Sequence, residues 1–170
     1  MELNISDAYE FYRKFILNYS QRKSIIYERY GFTLQGSIGP KDWEVFAAIL
    51  LNDRARPGDG ADLINYEVKS AVTGFSFEYQ YHKYQGLKKL EDDKNVDHVF
   101  IARSSDFKDI EVWLVQRHAI LAVFEEWYPA LLENYQNPGR QRFRRSVTYS
   151  FVLKYGHLLL QIISGQLKAL

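Results

Sequence analysis

Apolar residues at three- and four-residue steps open the chain: Ala8, Phe11, Tyr12, Phe15, Ile16 and Tyr19. That spacing predicts an amphipathic helix of about 14 residues, with Ser6 or Asp7 as its N-cap. A weaker pattern runs on to Tyr30, and residues 31–39 read as loop. Pro40 suits the first turn of a second helix, whose apolar face is Trp43, Phe46, Ala47, Leu50 and Leu51. The turn-rich stretch NDRARPGDG, residues 52–60, closes it. Two short strands are expected next, at 61–64 and 66–72. Phe75, Phe77, Tyr79 and Tyr81 then alternate with Ser76, Glu78, Gln80 and His82, the period of two of a half-buried strand. Residues 83–94 fit a helix, and 97–103 and 110–115 fit strands. Ile120, Val123, Phe124, Trp127, Tyr128 and Leu131 mark a third helix, expected to kink or break near Pro129. A turn at 137–139 and a strand over 147–154 complete the pattern.

Strands interleaved with helices argue for an α/β or α+β domain, a sheet with helices packed on it. No repeat, low-complexity tract or linker divides the chain, so residues 1–170 are expected to form one domain. With 46% hydrophobic and 25% charged residues, the balance is that of an ordinary globular protein. The chain has no cysteine, which excludes disulfides, zinc ribbons, iron–sulfur clusters and cysteine nucleophiles. No basic segment followed by an apolar stretch begins the chain, and no apolar run approaches the roughly 18 residues of a membrane span. An intracellular, cytoplasmic protein that does not enter membranes is the expectation.

A net charge of +1 hides an asymmetry. Up to Glu133 the chain holds 16 basic and 21 acidic residues; beyond it stand six basic residues and no acidic one. Such a split points toward a polyanionic partner, although a solvated basic loop has the same composition.

Chemistry concentrates in GDGADLINYEVKSA, residues 58–71. Side chains alternate along a strand, so Glu67 and Lys69 share one face while Val68 anchors the other. A turn near Asn65 would fold Asp62 back beside them. Two carboxylates and an ammonium then meet at the edge of the sheet, with the turn acid Asp59 adding negative charge. Such hard oxygen ligands suit Mg²⁺, which takes one or two carboxylates and keeps several waters. The Val68 carbonyl offers a further oxygen. The bland reading is a surface salt bridge between Glu67 and Lys69, worth about 0–1 kcal/mol.

Asp62 followed by Glu67-Val68-Lys69, with Ser70 and Ala71 after, resembles the active-site motif of the PD-(D/E)xK nuclease superfamily, which includes most type II restriction endonucleases. The resemblance covers the motif and its flanking strands, and Ala61 departs from the proline usual before the first acid. It implies a central mixed sheet flanked by helices, restriction endonuclease-like. It also implies Asp62, Glu67 and Lys69 as catalytic residues. The metal ligands would be Asp62, Glu67 and the backbone carbonyl of Val68, with Glu44 of the preceding helix as a candidate fourth. Mg²⁺ is the expected cofactor, with Mn²⁺ able to substitute. Lys69, its pKa depressed by desolvation or held by the phosphate, would orient the attacking water. The expected activity is hydrolysis of double-stranded DNA, site-specific as in restriction, leaving 5′-phosphate and 3′-hydroxyl ends. A structure-selective, homing or repair nuclease with the same metal site, or a non-catalytic DNA-binding protein of the same fold, is the alternative.

DNA contacts are expected from two places. Ser76, Glu78, Gln80 and His82 line one strand face, where Gln and Glu can read base edges. Arg140, Arg142, Arg144 and Arg145, joined by Lys83, Lys88 and Lys89, form a candidate phosphate clamp. His98, His118 and His157 have no ligand spacing and no assigned role. Cutting both strands takes two active sites, so a homodimer or higher oligomer is expected. Trp127, Tyr128 and residues 157–163 are candidates for its interface or, equally, for the core.

Overall fold

The computed structural model describes residues 2–58 and 60–169; Asp59 lies outside the described residues. A long helical run opens the chain as α1 (Ile5–Phe11), a π-helical segment (Tyr12–Leu17) and α2 (Asn18–Arg29). Its cap is Asn4, whose side chain accepts the Asp7 N–H, and neither Ser6 nor Asp7 fills that role. The π segment turns Tyr12, Ile16 and Leu17 into the core. Helix α3 (Pro40–Leu51) starts at Pro40 and buries Trp43, Phe46, Ala47, Leu50 and Leu51, the face its periodicity marks. It ends at Asn52 in the left-handed conformation that Asn tolerates.

Strand β1 (Tyr66–Val72) follows, then β2 (Phe77–His82), helix α4 (Gly86–Asp93), β3 (Asp97–Arg103) and β4 (Ile110–Val115). Helix α5 (Arg117–Gln136) continues through Pro129 without a break. Pro129 lies on the exposed side of the helix, where water can satisfy the carbonyl whose N–H partner the ring removes. The last elements are β5 (Arg142–Val147), α6 (Tyr149–Tyr155), β6 (His157–Ile163) and β7 (Gln166–Lys168).

Two sequence expectations fail on local capping and pairing. Residues 61–64 form no strand; their only ladder contact is a bridge between Leu63 and Ala55, and the segment is held as a turn. Residues 147–154 are not a strand either. Thr148 caps a helix there by accepting the Phe151 N–H, and the strand lies just before, in the arginine-rich RFRRSV.

The five-stranded sheet has order β1-β3-β4-β6-β7, with β1 and β3 parallel and the remaining pairs antiparallel. It is a mixed central sheet flanked by helices. On one face α1, the π segment and α3 pack Tyr12, Ile16, Trp43, Phe46 and Leu50 against Val68, Val99, Ile101 and Val112. On the other, α4, α5, α6 and a separate two-stranded ribbon, β2 with β5, enclose Phe77, Tyr79, Tyr81, Phe100 and Phe124. Strand β3 is covered on both faces, which explains its unbroken apolar run. Each such side chain contributes about 1.5–3 kcal/mol on burial. Trp127 belongs to this second core, and in β6 Leu159, Leu160 and Ile162 are buried while His157 and Ile163 are exposed; Tyr128 is partly exposed, under the Lys94 ammonium. No helix among the described residues is long and apolar enough to cross a membrane.

Candidate active site at the edge of the sheet

β1 is an edge strand of the five-stranded sheet. Beside it, between the start of α3 and the ribbon, lies a cleft of about 280 Å³ lined by Pro40, Trp43, Glu44, Asp62, Val68, Lys69, Ser70 and Glu78. Roomier grooves of about 490 and 710 Å³ exist elsewhere, but they are more open and hold no comparable group of buried charges.

Asp62 reaches the strand from its turn rather than from a second strand. Its carboxylate accepts the Val68 N–H at 3.0 Å, while its own N–H donates to Glu67 Oε2 at 3.1 Å. The two acids are thereby locked together by their backbones. Lys69 Nζ pairs with Glu67 Oε1, donates to the Val68 carbonyl at 3.3 Å and lies 3.8 Å from Asp62 Oδ2. Three oxygens of three residues thus converge on one cationic atom. The pair is no surface salt bridge, since Glu67 is 0% and Lys69 17% exposed. The Lys69 ammonium also sits 4.9 Å from the centre of the Tyr79 ring.

Behind Glu67 lies a buried polar network that residue spacing does not reveal. Lys89 Nζ, from α4, donates to Glu67 Oε1 at 2.8 Å and to Asp93 Oδ1 at 3.0 Å. The Tyr81 hydroxyl donates to Asp93 Oδ2 at 2.9 Å. His98 has Tyr79 Oη 2.7 Å from Nδ1 and the Asp93 carbonyl 2.9 Å from Nε2, so a neutral ring donates from Nε2 and accepts at Nδ1. His98 therefore has a structural place, and Asp93 joins the site unforeseen. One signal was available: Lys89 and Asp93 stand four apart on a helix, the spacing of an ion pair.

Burial would push the Glu67 carboxyl up, but the ammoniums of Lys69 and Lys89 hold it at about 2. Asp62 is pushed up, by burial first and by the Glu67 charge second. Asp93 is raised likewise by burial and by Glu67. Burial favours a neutral Lys69, yet Glu67 and Asp62 keep its pKa above the ordinary lysine value. The expectation of a depressed Lys69 is corrected on that ground: two carboxylates outweigh desolvation. Burial holds His98 down to about 4.

The donor set fits a divalent ion by its chemistry: two carboxylates and a backbone carbonyl already facing one cation. Glu44 lines the cleft but is paired with Lys41. Among the described residues no three acidic or histidine side chains form a metal-holding group by themselves, so the carbonyl and solvent would have to complete the shell.

The DNA candidates fall into two groups. Glu78, Gln80 and His82 are exposed on the outer face of the ribbon, opposite Ser146, Arg144 and Arg142 in the β2–β5 register. Residues directly opposite share a face, so the strand face forms one surface with Arg142 and Arg144, while Arg145, opposite the buried Tyr79, lies on the other face. Glu78 continues it into the cleft. Ser76 is exposed just before β2, Arg140 lies in the loop before β5, and Lys83 is tied to that loop through its N–H on Gln141 O at 2.8 Å. Arg145 stacks on Phe143, its guanidinium carbon 4.3 Å from the ring centre. Lys88 is exposed and forms a surface ion pair with Asp92, while Lys89 points into the network and away from the basic surface. Compared with known proteins, the chain matches no family model and no curated protein.

Proposed function

We propose that the chain is a Mg²⁺-dependent endonuclease that hydrolyses phosphodiester bonds of double-stranded DNA, of the restriction type, with 5′-phosphate and 3′-hydroxyl products. The observation that carries the reading is the convergence of Asp62 Oδ2, Glu67 Oε1 and the Val68 carbonyl on the Lys69 ammonium, where Asp62, Val68 and Lys69 line an edge cleft and Glu67 is buried behind them. A divalent ion held by those oxygens supplies Lewis-acid polarisation of the phosphate and a more acidic bound water. Asp62 and Glu67, fixed to each other through the Asp62 and Val68 amides, would hold it together with the Val68 carbonyl. Lys69, freed from those oxygens, turns its ammonium to the scissile phosphate, orients the attacking water and stabilises the developing charge. Arg142 and Arg144 on the ribbon place the duplex through its phosphates, while Gln80 and His82 face the base edges. A homodimer supplies the second site that a double-strand cut needs.

The test is incubation of the purified protein with phage DNA and Mg²⁺. Discrete fragments, lost in Lys69→Ala while DNA binding persists, are expected; wild-type cleavage by that variant contradicts the assignment. A second reading has an observation of its own: Glu67 is fully buried and already neutralised by two lysines. That suits a DNA-binding protein without chemistry, which intact DNA with retained binding would favour.

A further inference from the structure

Lys89 is tied to three separate parts of the molecule. Its ammonium donates to Gly60 O at 3.1 Å, Glu67 Oε1 at 2.8 Å and Asp93 Oδ1 at 3.0 Å. These oxygens belong to the turn that carries Asp62, to β1 and to α4 itself. An ammonium has three N–H donors, and all three are committed inward. None is left for a phosphate, which removes Lys89 from the clamp where its sequence neighbourhood placed it.

The Asp62 turn leans on α4 at a second point. Arg56 Nη2 donates to Asp92 Oδ1 at 3.5 Å, and Gly60, at φ +135°, approaches so closely that a Cβ there would lie 2.9 Å from Asp92 Oδ2. Asp93 in turn is fixed by the Tyr81 hydroxyl, and its carbonyl by His98. The far end of the Lys89 bridge is therefore rigid. When a cation replaces the Lys69 ammonium, Glu67 keeps two anchors, the Asp62 N–H on Oε2 and Lys89 on Oε1.

We infer that Lys89 is a positioning residue of the cleft: it holds Glu67 directly and Asp62 through the Gly60 turn, and it does not grip the nucleic-acid backbone. The purpose of this device rests on the nuclease reading; its geometry can be tested without it. The amides of Asp62 and Val68, which join the two carboxylates, report the geometry by hydrogen exchange. Lys89→Gln should accelerate their exchange at least about tenfold relative to the Phe124 amide of α5, and Lys89→Arg, which keeps charge and donors, should restore most of the protection. Should Lys89→Gln fail to fold, the charge-balanced Lys89→Met/Asp93→Asn pair carries the same expectation. Mn²⁺ affinity, measured by titration calorimetry, should fall about 10–100-fold in the Gln variant, the range for residues that orient metal ligands. Its affinity for duplex DNA without metal should stay within twofold of wild type. Unchanged exchange overturns the positioning, and a tenfold loss of DNA affinity returns Lys89 to the clamp. Accelerated exchange with Mn²⁺ affinity unaltered overturns its purpose. If the wild-type protein takes up no Mn²⁺, the nuclease reading fails, while accelerated exchange still establishes the positioning.

Discussion

In the cleft, Glu67, Asp93, Lys69 and Lys89 direct their charges at one another below the surface. On the ribbon, Arg142 and Arg144 stand exposed, and no ion pair among the described residues holds either. The two regions lie side by side, joined by Glu78, yet they solve different problems. A buried charge has to be paired, and pairing fixes its position to a fraction of an ångström, as a metal site or a reaction requires. An exposed arginine is screened and mobile, which suits a partner read mainly through its phosphates. Geometry resides in the first region and electrostatic reach in the second.

The comparison breaks first on stability. Glu67→Ala removes a fully buried carboxylate that is the common partner of two partly buried ammoniums and should cost about 3–5 kcal/mol in urea unfolding. Arg144→Ala should change stability by less than about 0.5 kcal/mol. Similar losses for the two would erase the distinction. Next in size is chemistry: Lys69→Ala should lower Mg²⁺-dependent cleavage about 10²–10³-fold, with the Kd for DNA unchanged in the absence of metal.

The third test is pH. The His98 imidazole is held down to about 4 in the fold, against about 6.5 in an unfolded chain. Between those values the unfolded chain takes up a proton that the folded one refuses. The His98 contribution is therefore complete above pH 6.5 and is lost as pH falls toward 4, by about 3 kcal/mol at most. Unfolding of His98→Gln at pH 4.5 and 7 should lack this part of the slope; a slope equal to wild type would place the titration elsewhere. The smallest effect belongs to the ribbon. Charge reversal of both Arg144 and Arg145 should flatten the dependence of log K on log salt by about 2 and leave stability nearly unaltered. An unchanged slope removes these arginines from the clamp.

Much of this comparison is legible in the chain. The five buried residues of α3, the bounds of β1, β3 and β4, and the shared face of Glu67 and Lys69 follow from periodicity and alternation, because those rules act within a few residues. Asp62 joins them through backbone hydrogen bonds of a turn and not through the second strand expected at 61–64. What escapes has long-range or capping causes. β5 hides because Arg142 and Arg144 face outward, Arg145 is exposed although it lies on the face of Phe143, and only Phe143 and Val147 are buried. Tyr149, Phe151 and Leu153 alternate like a strand, but the Thr148 cap and the end of β5 make them α6. Lys89 and Asp93 meet Glu67 across more than twenty residues, and only the packing of α4 against β2 and α5 brings them there. The union of the strand face with Arg142 and Arg144 depends likewise on a pairing between residues some sixty positions apart.

The most direct measurement is an anomalous difference map from crystals soaked in Mn²⁺. The account predicts one peak about 2.1 Å from the Asp62 and Glu67 carboxylates and the Val68 carbonyl, with the Lys69 ammonium turned away toward the cleft. A map without that peak, with Lys69 still seated on all three oxygens, would contradict it.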